Sequence, residues 1–170
     1  MNKISRLCAA SILGLSGALA LFSGTDKARA DSFIQLSDGW ATYVNSRYGT
    51  RLDFPAGTFV PGALPENGDG LRFQAADAML EVFAFQNIEM ENATTLERRL
   101  LGGEGYRNVT YSPAGDNWLV ISGFRGDTIF YEKYLFRGSV VHAFGIEFPS
   151  AAKPRYAPIV ERIEDSFHVE

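Results

Sequence analysis

Thiols are all but missing from this chain: among its 170 residues only Cys8 carries one. An internal disulfide is therefore excluded, and any stability must come from a packed core. Histidine is nearly as scarce, with two copies, so a zinc site of the usual ligand set would have to lean on carboxylates. The hydrolase signature is absent as well. Ser122 precedes Gly123, but Val120 stands where a nucleophile elbow needs glycine. Gly102-Gly103-Glu104-Gly105 follows a helical stretch, whereas a phosphate-cradling loop must precede one. There is no internal repeat, no block of like charge and no low-complexity linker.

Long apolar runs are also lacking, with one partial exception. Leu7 to Phe22 is uncharged and apolar for sixteen residues, short of the ~20 that a spanning helix needs. Lys3 and Arg6 precede it, and Ala28-Arg29-Ala30 follows before Asp31. A positive start, an apolar core and small residues before a cut make a secretory signal peptide. The expected cut lies after Ala30, with Ala18-Leu19-Ala20 as the other small-x-small choice. Cys8 comes before the apolar stretch and not after it, which argues against a lipoprotein. The expected organisation is thus a signal peptide over 1–30 and a single domain over 31–170 in the periplasm, with no stable membrane span after cleavage.

Cleavage removes Lys3, Arg6, Lys27, Arg29 and Asp26, which takes the formal charge from −4 to −7. An acidic surface repels phosphate backbones and anionic lipid, so nucleic acid is not an expected partner. The cysteine leaves with the leader. A domain of about 140 residues can bury roughly two-thirds of its unfolded surface, enough for one core.

The mature part reads as strands divided by Gly, Pro, Asn and Asp. Phe33 to Leu36 is a strand or a loose arm. Trp40 to Asn45 and Thr50 to Phe54 are strands joined at Tyr48-Gly49, and Pro61 to Gly70 is a surface loop. Leu71 to Gln74 and Met79 to Phe85 make a hairpin pair. A short helix follows, with Thr94 and Glu97 as its capping box and Leu96, Leu100 and Leu101 as its buried stripe. Tyr106 to Tyr111 is a further strand. Then Asn117 to Arg125, Thr128 to Arg137 and Val140 to Phe148 follow at hairpin spacing, with turns at Gly126-Asp127 and Gly138-Ser139. Tyr156, Ile159, Val160, Ile163 and Phe167 recur on one helical face. Strands adjoining by hairpins, with helices between and after them, predict an α+β fold: one antiparallel β-sheet covered by helices.

Polar candidates are few. Glu66, Asn67 and Asp69 crowd three oxygen-bearing side chains beside Gly68 and Gly70. As a divalent-cation loop they offer too few ligands for calcium, and the EF-hand spacing fails. A turn in which the Asx side chains satisfy backbone N–H groups is the other reading. His142 alternates with Phe144, Ile146 and Phe148 and so faces the core, as a general base or ligand, or as a hydrogen-bonded core histidine. An acid partner for it would have to come from another strand, such as Glu132. His168 is expected at the frayed end of the last helix. Among the aromatics, Trp40, Tyr48 and Tyr131 are candidates for an interaction surface, while Phe130 and Tyr131 equally suit the two faces of a sandwiched sheet.

Several segments together carry a resemblance. They are Tyr43-Val44-Asn45-Ser46-Arg47-Tyr48-Gly49, Phe54-Pro55, Glu66 to Gly70, Asn117 to Gly123, Ile129 to Lys133, Phe144 to Pro149, and Arg155-Tyr156 with Pro158-Ile159-Val160. Over about residues 40–168 the chain resembles a family of uncharacterised exported bacterial domains. The order of its elements is similar to that of PsbP-like proteins, which are extrinsic lumenal and periplasmic accessory proteins. The resemblance implies an accessory or binding role and brings no catalytic residues. The expected function is a non-enzymatic periplasmic interaction domain for a protein or envelope component, without a cofactor. The alternative is a small-molecule or cation binder using Glu66 to Asp69 or a pocket near His142.

Overall fold

The computed structural model describes residues 30–170, so the expected signal peptide lies, but for Ala30, outside the described residues. The elements run β1 (Ser32–Gln35), β2 (Trp40–Val44), β3 (Thr50–Pro55), β4 (Val60–Pro61), β5 (Gly70–Gln74), β6 (Met79–Gln86) and α1 (Ala93–Leu101). They continue with β7 (Val109–Tyr111), β8 (Trp118–Arg125), β9 (Thr128–Arg137), β10 (Val140–Pro149), α2 (Lys153–Ser166) and β11 (His168–Val169). Among the described residues no helix is long and apolar enough to cross a membrane.

The α+β class holds, but the single sheet does not. The strands form two antiparallel sheets, a small one ordered β1-β2-β3-β11 and a large one ordered β4-β5-β6-β10-β9-β8-β7. The β2–β3 hairpin cannot extend the large sheet because its own apolar face needs cover. Ala41, Tyr43, Leu52 and Phe54 turn inward against Leu80, Val82, Phe144 and Ile146 of the large sheet. Helix α2 completes that layer with Tyr156, Val160 and Ile163. The opposite face of the large sheet packs Leu119, Ile121, Phe130, Tyr134, Val141 and Ala143 under Ala93 and Leu96 of α1. Phe130 and Tyr131 therefore both lie against packed layers, on opposite sides of β9.

The hairpin turns fall where expected. Gly126 and Gly138 have φ of +64° and +57°, a left-handed conformation that glycine adopts without a Cβ penalty. They set the pairs Arg125↔Thr128 and Arg137↔Val140, and with them the register of three strands.

Three local expectations fail. The cap of α1 is Asn92, whose Oδ1 accepts from Thr95 N at 3.0 Å, while Thr95 Oγ1 accepts from Asn92 N at 2.9 Å. Thr94 and Glu97 lie inside the helix, which starts earlier than the Thr-x-x-Glu spacing suggests. Leu96 and Leu100, one turn apart, face inward, whereas Leu101 is rotated by a further ~100° and is exposed. At the C-terminus, His168 is not a frayed helical residue. Phe167 leaves the helix with extended backbone (φ −73°, ψ 112°), which turns its ring onto Phe144 at 5.0 Å between centroids. His168 and Val169 then pair with Arg51 and Thr50 of β3.

Candidate functional site

Two polar clusters stand out, one at an end of the two-sheet layer and one on the α1 side of the large sheet. The first begins at His142. Its side chain is 2% exposed, and Nδ1 lies 2.8 Å from Thr50 Oγ1. Burial, with Arg137 nearby, pushes its pKa below the ordinary value of 6.5. Thr50 sits at the start of β3, where its carbonyl accepts from Asn45 N at 2.8 Å. Asn45 is itself buried. Its Oδ1 accepts from Tyr48 N at 2.8 Å, and its Nδ2 donates to Gly68 O at 3.0 Å. Asp31 completes the corner, with its carboxylate accepting from Tyr43 Oη at 2.5 Å and from Ser46 N at 2.8 Å. Burial, then the bond to Asp31, raises the Tyr43 phenol well above its ordinary range.

The loop candidates meet this corner from outside. Gly68 contributes its carbonyl, and Asp69 O accepts from Ala84 N at 2.7 Å. Asn67 Nδ2 donates to Asp69 Oδ2 at 2.6 Å, so two of the three polar side chains hold each other. Glu66 lines a cleft of about 350 Å³ with Asn67, Asp31 and Arg47. Among the described residues no three His, Cys, Asp or Glu side chains converge on a point that would hold a metal ion.

Glu132 does not join His142. Its register partner on β10 is Gly145, an odd position, so the two side chains project from opposite faces of the large sheet. On its own face Glu132 anchors the second cluster. Its Oε2 accepts from Tyr106 Oη at 2.8 Å and Tyr134 Oη at 2.6 Å, and its Oε1 from Arg125 Nη2 at 3.0 Å. Arg125 also pairs with Glu147, donates to Gly105 O at 3.0 Å, and covers the Phe130 ring with Cζ 4.1 Å from its centroid. Burial, then the negative charge of Glu132, raises both phenols. A carboxylate that already takes three donors is a fixed post and not a free base.

Register explains the shape of this face. Arg72, Glu81, Gly145 and Glu132 lie in one row across β5, β6, β10 and β9. Gly145 has no side chain, and a Cβ there would stand 3.3 Å from Glu132 Cγ. The row therefore dips at its centre. A notch of about 180 Å³ opens there, bounded by Glu81, Glu132, Glu147, Phe83 and Tyr106. It adjoins a wider cleft of about 580 Å³ that also uses Glu81 and Phe83. Phe83, which lines both cavities, is half-buried, as is Phe85, whose ring centroid lies 6.3 Å from it. The sequence reading missed this cluster. The two glycine turns would have found it, because they alone align Glu132 with Gly145 and place Arg125 on the same side.

The three aromatic candidates do not form one surface. Trp40 lies under Arg162 of α2, with Cζ 4.0 Å from its ring. Tyr48 belongs to the β2–β3 turn, beneath Arg47. Tyr131 faces α2, donates to Glu164 Oε2 at 2.6 Å, and lines a cleft of about 450 Å³ with Tyr111 and Phe124. Glu164 also accepts from Lys133 Nζ at 2.8 Å; burial works to raise its pKa, but Lys133 and Tyr131 hold it below the ordinary carboxylate value.

The chain matches no protein-family model and no curated protein. Among solved structures it is similar to the solution structure of a cyanobacterial PsbP (CyanoP) from Synechocystis sp. PCC 6803. That match has a TM-score of 0.61 at 12% identity and covers 78% of this chain and 93% of that one. A crystal structure from Bacteroides thetaiotaomicron aligns over 75% of this chain and 46% of that chain, at 11% identity and a TM-score of 0.48. The resemblance of residues 40–168 to exported bacterial domains has no family model behind it. At fold level, this chain is PsbP-like.

Proposed function

We propose that the chain is an accessory domain of the cell envelope that binds a protein partner through the open face of the large sheet beside α1. The reading draws on the export signal in the sequence and, by analogy of fold alone, on the PsbP-like architecture. The observation that carries it is the pre-set cluster around Gly145. Arg125, Glu132 and Glu147 are held by one another and by two phenols at the floor of an open face, beside the half-buried Phe83 and Phe85. Rigid charged groups next to aromatic area suit a specific contact, because little side-chain freedom is lost on binding. Glu81, Glu132 and Glu147 outnumber Arg72 and Arg125 on this face, so the partner segment it fits is basic.

The test is capture from an envelope extract with the exported protein and three surface variants. A partner held by the wild type at low salt is lost with Glu81→Arg and with Phe83→Asp, and is kept with Lys153→Glu on the α2 side. Equal capture by the wild type, Glu81→Arg and Phe83→Asp would sink the proposal.

A further inference from the structure

Three aromatic rings meet on the face of the large sheet that α2 leaves partly open. Tyr111 of β7 and Tyr131 of β9 are both register partners of Ser122 on β8, one on either side of it. Phe124, two residues on, projects from the same face of β8 as Ser122. Tyr111, Phe124 and Tyr131 line the cleft of about 450 Å³ whose other wall includes Ala157 and Glu161 of α2. Small residues at floor and wall, with large rings around them, make a box. Tyr111 and Phe124 are 57% and 39% exposed, and Tyr131 stacks on Phe144 with 6.0 Å between centroids.

The box depends on an irregularity in β7. Val109 pairs with Gly123, so an even ladder would set Thr110 against Ser122 and turn Tyr111 toward the α1 side. A bulge sets Tyr111 against Ser122 instead, which aims its ring into the cleft. Gly123 permits the close approach of β7 that goes with it, since a Cβ there would fall 2.1 Å from Asn108 O.

We propose that this box binds a methylated ammonium group, of the kind carried by choline or a betaine, seated over Ser122 between the three rings. The site lies on the other side of the large sheet from the proposed partner surface and stands independently of it. Two strand spacings, about 9.6 Å, separate Tyr111 from Tyr131, so a cation over Ser122 lies about 5 Å from either, inside the ~6 Å range over which a ring attracts a cation. The charges around it come from α2 and β9. Glu164 is engaged by Tyr131 Oη at 2.6 Å and balanced by Lys133 Nζ at 2.8 Å, which leaves the carboxylate of Glu161 facing the cleft. Lys153 stands at the far end, about 12 Å along α2 from Glu161 and beyond the ~8 Å screening length. A primary ammonium would need acceptors for three N–H groups, and Ile129, Phe148 and Val160 supply none. A methylated one asks only for apolar and π surface.

The purified protein is titrated with choline by NMR, beside its neutral isostere, in which a tert-butyl group replaces the trimethylammonium. Choline is expected to bind saturably, with nuclear Overhauser contacts from its methyl protons to the rings of Tyr111, Phe124 and Tyr131. The isostere is expected to bind about tenfold more weakly, because it keeps the shape and loses the charge. Tyr111→Leu and Phe124→Leu, both at exposed rings, should each weaken choline by about tenfold with the thermal midpoint near that of the wild type. Vesicles of phosphatidylcholine and of phosphatidylethanolamine separate the sources of the group. Sedimentation with the first and not the second assigns it to a lipid headgroup, and binding of free choline without either assigns it to a soluble ligand. Equal affinity for choline and its isostere would overturn the proposal, as would methyl contacts to other rings or undiminished binding by Tyr111→Leu. So would the absence of binding to both free choline and phosphatidylcholine.

Discussion

Lowering the pH from 7 to 5 should weaken this domain through a single side chain. His142 is 2% exposed on the core face of β10, with Thr50 as its hydrogen-bond partner, and its pKa lies below 6.5 because burial disfavours the charged ring. A depressed histidine pKa means that the unfolded chain binds a proton which the folded one refuses. Stability is complete above about pH 6.5 and is lost as pH falls below it. One proton of difference is worth up to about 1.4 kcal/mol per pH unit. For a domain of this size that shifts the thermal midpoint by roughly 3–6 °C per unit. The buried and paired carboxylates add losses of the same sign, but in a lower window, near their ordinary values of about 4. Differential scanning calorimetry of the wild type and His142→Gln between pH 5 and 7 isolates the effect, since the amide keeps a partner for Thr50 and does not titrate there. Parallel curves for the two proteins would refute the account of a neutral, buried His142.

The cap assignment predicts that Asn92→Ala costs about 1 kcal/mol while Glu97→Ala is close to neutral, by chemical denaturation. Gly70→Ala should be among the most damaging substitutions outside the core, because a Cβ would fall 1.9 Å from Val82 O and 2.7 Å from Phe83 Cα. Its expected cost exceeds about 3 kcal/mol, read as lost or insoluble protein or as a fall in denaturation midpoint. Tyr134→Phe removes one donor from Glu132 and should cost about 1.5–3 kcal/mol. Combined with Tyr106→Phe the loss should not be additive, since both phenols serve one oxygen.

What could be read from the chain alone was local. The glycine turns at 126 and 138, the alternation that puts His142 with Phe144 and Ile146, and the stripe of α2 each depend on neighbours within about ten residues. The PsbP-like order of elements rested on the same signals and reappears in the fold comparison. The partition into two sheets was not legible, because alternation says which face is apolar and not which layer will cover it. Strand β11 was missed for a related reason. Two residues carry no periodicity, and their pairing with β3 is settled by where Phe167 finds room. The Glu132 cluster lay between these cases. Its members are far apart in the chain, yet the turn positions already contained their register.

The pairing of β11 with β3 has a bearing on how the chain is made. Arg51 and Glu170 form an ion pair across 119 positions, and the first sheet to be synthesised stays one strand short until the last residues arrive. Contacts of such long range close slowly. The small sheet is therefore completed only after the C-terminal segment has been made, and the chain carries that delay in its own topology.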